Sequence, residues 1–388
     1  MTIDTFKTAN RSASSAVFMQ AACRYRLARQ GAIYATMQVH WPALPNVKES
    51  VVTVLYAATG NSIVRLSREQ DDQWSSETLL HDKGVQCVAV DPDKPNRIYA
   101  GTFDDGLFRS LDGGKTWTAA GGGIPHQRIP SVAISPSRTV DGLNAVYAGT
   151  EPSSLFISDD DGETWSDLAG LRQLPSAPTW SFPPRPWTSH VRWIALSHQD
   201  PELIFAGIEL GGVMRSTDGG KTWEDRKPGS YHDAHCIRTH PRDPSRVYEA
   251  AGGGVAISLD AGETWSPVDE GMDRHYVWAA AVDPEDPDLW FVSATHSARY
   301  AHRDDGDSEA MIYRKRGDAA WEPAMGGLEA PMSEMPYALL IPENDRNTIF
   351  AGTRKGSLYV SDDRGESWRK TDVNLPGILQ LAHTLAED

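Results

Sequence analysis

The sequence predicts an all-β chain, a seven-bladed β-propeller of four-stranded antiparallel blades whose ring is closed by the C-terminal strand in the first blade. Three observations predict it. A turn motif, Ser-x-Asp-x-Gly-x-Thr/Ser-Trp, recurs as SLDGGKTW (110–117), SDDDGETW (158–165), STDGGKTW (216–223), SLDAGETW (258–265) and SDDRGESW (361–368), with worn copies ending in Trp74 and Trp321. These seven tryptophans fall about 40–60 residues apart, the range of propeller repeats. A short apolar segment also recurs upstream of each motif: VLYAATG at 54, RIYAGTF at 97, AVYAGTE at 145, LIFAGIE at 203, RVYEAAG at 246, LWFVSAT at 289 and TIFAGTR at 348.

Each repeat can be read in order. Strand A is a β-branched or aromatic run such as VQCVAVDP at 85, RWIALSH at 192, HCIRTHP at 235 or VWAAAVDP at 277. Asp-Pro and similar turns end it, and the Tyr-Ala-Gly-Thr segment supplies strand B. A variable loop leads to strand C, the Asp-Gly motif makes the C–D turn, and strand D ends near Trp. The first repeat begins at strand B, near 51–59, and lacks strand A. The tail GILQLAHTLAED supplies the missing strand and seals the ring.

The motif chemistry is that of a turn. Asp and Ser side chains accept backbone N–H bonds across their own turn, Gly takes a positive φ without steric cost, and Trp is a large apolar wedge with one polar handle, suited to the space beside the next blade. Five near-identical copies point to structure, because a catalytic constellation is usually unique within a domain.

On these motifs the chain, over about residues 50–388, resembles the BNR or Asp-box repeat proteins. They include sialidases, xyloglucan-specific glycosidases, sortilin-type receptors and photosystem assembly factors. More narrowly it resembles bacterial proteins described as glycosyl hydrolases or as WD40/YVTN/BNR-like repeat proteins. The resemblance implies the propeller and says little of activity. The QRIP stretch at 127–130 is similar to the Arg-Ile-Pro signature of sialidases. Sialidases have six blades and carry it before their boxes, so here it reads as coincidence.

Composition excludes some functions. The 388 residues carry a formal net charge of −16, which repels nucleic acid and anionic membranes. No 18-residue apolar run is present. Three scattered cysteines (Cys23, Cys87, Cys236) make neither a disulfide framework nor a zinc motif and suit a reducing, cytoplasmic setting. Residues 1–50 lack the repeat rhythm and a signal-peptide pattern, and read as an extension, helical or poorly ordered.

Strand parity then sorts the faces. A–B and C–D turns share one face of the disc, and B–C and D–A loops share the other. The Asp-box turns therefore mark a plain face. Both long insertions, 166–190 with Trp180, Phe182 and Trp187, and 295–310, fall on the opposite face. Long loops in compact domains are often functional. Residues that break the repeat gather there: Glu151 and Glu209 after strand B; Arg128, His190, Arg192, His232, His235, His275, Tyr276 and Tyr337 at the start of strand A; His296 and His302 in the sixth blade; and Glu249 within a strand.

Three readings follow. In the first, a small polar, glycan-like ligand binds at the channel mouth, with Glu151 and Glu209 as a carboxylate pair for hydrolysis. His190 and His235 stand beside them as further catalytic candidates. Arg128, Arg192, Trp187, His232, Glu249, His275, Tyr276, His296 and Tyr337 would contact the ligand. In the second, His190, His235 and His275, entering from successive blades, hold a divalent metal. In the third, the ring is a non-catalytic scaffold that docks a protein partner.

Overall fold

The computed structural model describes residues 53–68, 72–182 and 188–385. The extension over 1–50 and Trp187 lie outside them. Seven antiparallel sheets follow one another along the chain. Six have four strands. The fourth has three, 191–196, 204–208 and 212–216, with its outer strand reduced to a bridge between Arg215 and Glu224. The ring closes as expected. Strand Gln380–Leu385 pairs antiparallel with Thr53–Ala58, Thr53 facing Leu385 and Ala58 facing Gln380.

The core is divided among the joints between blades. Seven clusters of buried apolar side chains each bridge two neighbouring blades. Each contains one of the seven repeat tryptophans: Trp117 between blades 1 and 2, Trp165 between 2 and 3, and so on to Trp74 between 7 and 1. The wedge sits against the preceding blade, whereas the sequence reading placed it beside the next. The indole of Trp165 donates to Ala120 O of the second blade at 2.7 Å, and that of Trp321 to Val268 O of the fifth at 2.6 Å. Strand D is the outermost strand, and its end leans back over the blade it has just passed.

The five intact boxes share one cage. In the fourth blade the Ser216 hydroxyl donates to Asp218 Oδ1 at 2.9 Å and accepts Gly220 N–H at 2.9 Å. Asp218 also accepts the Thr222 N–H at 2.8 Å and its hydroxyl at 2.6 Å. The same bonds recur around Asp112, Asp160, Asp260 and Asp363. Stabilised as carboxylates by these donors, all five aspartates titrate below the ordinary range, Asp112 at about 2. The glycine of the fifth-blade box, Gly262, has φ +85°, and a Cβ there would lie 2.5 Å from the Phe205 ring of the fourth blade. Both the turn and the joint need glycine.

One irregularity positions the site. Strand A carries a β-bulge at the same repeat position in five blades, leaving Gln86, Arg192, His235, Trp278 and Tyr337 without an opposing residue on strand B. A bulge adds one residue and re-aims a side chain. Strand A is innermost, so the re-aimed side chains belong to the channel.

Candidate ligand site at the channel mouth

Four of the bulged residues, from blades 4 to 7, come together around Trp278. The Arg192 guanidinium lies over the Trp278 ring at 4.8 Å. The His235 ring is 4.6 Å from Trp278, and Trp278 stacks on Tyr337 at 4.7 Å and 30°. Two residues earlier stand His190 and Asp233, each just before its strand, and Tyr276, the first residue of its own. Each shares the surroundings of its bulged partner: His190 and Arg192 both meet Glu209, Asp233 meets His235, and Tyr276 stacks on Trp278 at 6.2 Å.

Glu209 leaves the end of strand B in the fourth blade, just before the left-handed Leu210 (φ 55°) turns the chain. Its Oε2 accepts from His190 Nε2 at 2.8 Å and lies 3.7 Å from Arg192 Nε. Burial alone would raise its pKa. The hydrogen bond and charge of His190, with Arg192 and His235, outweigh burial and hold it at about 2, so Glu209 is a carboxylate at neutral pH. The Phe182 ring meets His190 edge-on at 4.9 Å, bringing the aromatic insertion to this group. On the far side His302, from the 295–310 insertion, hydrogen-bonds Tyr276 at 3.1 Å and also Tyr337. His302 is exposed at the rim, while Tyr276, Trp278 and Tyr337 form a buried platform beneath it.

Not every residue singled out joins this cluster. Glu151 accepts from Arg128 at 2.9 Å and from Thr188 at 3.2 Å, and Arg128 also binds Asp104. It thus sits in an ion-paired group with Arg128, whereas Glu209 is paired with His190 and Arg192. Glu249 is fully buried and cannot meet a ligand. It accepts from Ser230 Oγ and Tyr231 N–H, pinning the loop that enters the fifth blade, and burial pushes its pKa up to about 8. His232 and His275 are exposed, and His296, also exposed, faces Glu309 at 3.2 Å. The metal set of His190, His235 and His275 is therefore not assembled. The side chains gathered around His235 are Asp233 and Glu209, their ligand atoms all within 4.8 Å of one another.

The sequence reading missed Trp278; Asp233 stands out beside His232 and His235 at the start of strand A, but the sequence assigns it no role. A signal was present: strand A carries Gln, Arg, His, Trp or Tyr at one repeat position beside small or apolar neighbours, and that position is the bulge.

The channel also opens on the plain face. A cavity of about 580 Å³ is lined there by the Pro turns (Pro92, Pro136, Pro241, Pro284), Trp193, Arg238 and Leu339. The Arg238 cation lies over Trp193 and donates to Ala280 O at 2.9 Å. That end is mainly apolar, and the convergent ionisable groups lie at the other.

The chain is thus a seven-bladed β-propeller built on Asp-box repeats. A family model for the BNR/Asp-box repeat matches residues 156–167 and 214–225, the boxes of blades 3 and 4. The chain is similar to xyloglucanase Xgh74A of Acetivibrio thermocellus, 30% identical over 227 residues, which cover 50% of this chain and 27% of that enzyme. Among solved structures it resembles an ancestral GH74 enzyme (17% identity, TM-score 0.58, covering 83% of this chain and 40% of that one). It also resembles YCF48 bound to D1 peptide (16%, TM-score 0.52, 78% and 86%) and U3-55K (11%, TM-score 0.55, 84% and 88%). At these identities the structural likenesses define the fold. The chain spans little more than a quarter of the curated relative's length.

Proposed function

We propose that the mouth formed by blades 4 to 7 binds a glycan-like ligand, a small molecule rich in hydroxyl groups. The observation that supports it most is the row of bulged residues. It places a fixed carboxylate (Glu209), a guanidinium (Arg192) and a second carboxylate (Asp233) beside a rigid aromatic platform. Sugars present hydroxyls around their edge and C–H groups on their faces, and such a mixed surface meets both. The similarity to a xyloglucanase supports the same class of ligand. If the ligand is also cleaved, Glu209 is the group held ionised and so is suited to act as base or nucleophile. The two-carboxylate scheme also needs a protonated partner. Glu151, tied to Arg128, would have to be protonated against that ion pair to serve as the partner.

The test is a calorimetric titration against a panel of oligosaccharides that includes xyloglucan fragments, with hydrolysis followed by product analysis. Wild type is expected to bind at least one member, and Glu209→Gln and Arg192→Ala to weaken it by tenfold or more, about 1.4 kcal/mol. A panel without binders, or binding indifferent to both substitutions, rejects the reading.

A further inference from the structure

We infer that Glu209, Asp233 and His235 form a binding site for one divalent first-row metal ion. His235 is fully buried. Its Nδ1 lies 2.7 Å from the Val277 carbonyl and must carry the proton to bond it. In the neutral ring this bond leaves the lone pair on Nε2, and Nε2 has no hydrogen-bond partner. This nitrogen faces Asp233 Oδ2 at 3.4 Å, and Glu209 completes a group whose three ligand atoms lie within 4.8 Å. A backbone carbonyl holding one imidazole nitrogen while the other faces carboxylates is the usual support of a metal-bound histidine.

The electrostatics agree. Two carboxylates and a lone pair pointing into one space repel each other. His190 and Arg192 partly offset the charge of Glu209, while Asp233 and His235 face each other at 3.4 Å. A +2 ion removes the repulsion and pairs the orphaned nitrogen. Metal–ligand distances of about 2.0–2.2 Å put tetrahedral ligand atoms roughly 3.4 Å apart. The His235–Asp233 pair already has that spacing, and the other pairs, within 4.8 Å, need to close by at most about 1.4 Å. One imidazole with two carboxylates suits Mn²⁺, Fe²⁺ or Zn²⁺. Three protein ligands leave positions for water or a ligand oxygen, through which the ion would act as a Lewis acid. The inference does not require the ligand to be a glycan.

The experiment uses the full chain without a His tag, stripped with chelator and titrated with Mn²⁺ and Zn²⁺ in the absence of saccharide. Stoichiometry is read by elemental analysis, affinity by calorimetry, and geometry from the visible spectrum of the Co²⁺ form. The expected result is one ion per chain, a rise in Tm, and affinity about 10–100-fold lower or worse in His235→Gln and Asp233→Asn. His81→Ala, an exposed histidine elsewhere, should leave binding unchanged. Two results overturn the inference: no stoichiometric ion in wild type, or binding that survives both substitutions. If His235→Gln fails to fold, Asp233→Asn and the Co²⁺ spectrum still decide. Saccharide titrations on stripped protein separate failure of this site from failure of the ligand reading.

Discussion

The two faces of the disc carry similar residues to opposite ends. On the plain face each Asp-box aspartate meets Ser, Thr and backbone N–H groups of its own turn, and the cage is copied five times. Buried charges near that face are matched as well: Arg97 pairs with Asp91 at 2.6 Å, and Asp283 takes Arg346 and Arg364. On the opposite face the groups occur once. The Glu209 carboxylate faces His190 and Arg192 of its own blade, and His190 Nδ1 and His235 Nε2 are buried without a hydrogen-bond partner. Repetition marks structure. Buried atoms without a hydrogen-bond partner occur near the boxes too, on Arg97, Arg109 and Arg364, so what sets the mouth apart is that its carboxylates, imidazoles and guanidinium converge once and are not copied from blade to blade.

That contrast breaks first if box and mouth substitutions have the same consequences. The largest expected effect is on stability. Trp265→Ala removes a side chain only 7% exposed from the joint between blades 4 and 5. It should cost about 3–5 kcal/mol in denaturant unfolding, with binding at the mouth retained in the folded fraction. Next is Glu209→Gln, expected to cost roughly 2–4 kcal/mol of ligand or metal affinity, with Tm falling as well because the buried His190 and the half-buried Arg192 lose their carboxylate. Asp218→Ala should cost about 1–2 kcal/mol of stability, since Thr222 lies in an exposed turn where water can replace the lost acceptor, and should not change affinity.

The smallest effects are in pH dependence. The box aspartates have lowered pKa values, so their stabilisation is present above the ordinary pKa of about 3.9. It is lost as pH falls towards the value of about 2 reached by Asp112. Glu249 has the opposite sign. Its pKa is raised to about 8 from an ordinary value of about 4.3. The stability tied to its protonated form is therefore complete below that ordinary value and is lost as pH rises through about 8. Glu249→Gln should flatten the pH dependence of Tm across that window, its advantage over wild type growing towards pH 9. An unchanged profile would show that the Glu249 carboxyl is solvated.

The repeat made the fold legible. Seven Trp-terminated units, a missing first strand and an unpartnered tail specify the ring, and strand parity separates its faces. The meeting of His190 with Glu209 was also within reach, because both flank the same edge of the fourth blade. The rest of the mouth was not, for a geometric reason. A bulge inserts one residue into strand A and so shifts which side chains face the channel. Counting alternate residues from the Pro turn therefore leaves Trp278 looking like another core residue. Glu249 misled in the other direction, since a residue that breaks the repeat can serve a loop backbone as well as a ligand.

The most direct measurement is a paired titration of wild type, Glu209→Gln and Asp218→Asn, recording Tm and affinity for the best member of the oligosaccharide panel in the same samples. The account predicts that affinity separates the two variants: Glu209→Gln loses affinity in its folded fraction, and Asp218→Asn loses Tm and keeps affinity. Affinity lost through Asp218 and retained without the Glu209 charge would place the working face with the boxes and contradict it.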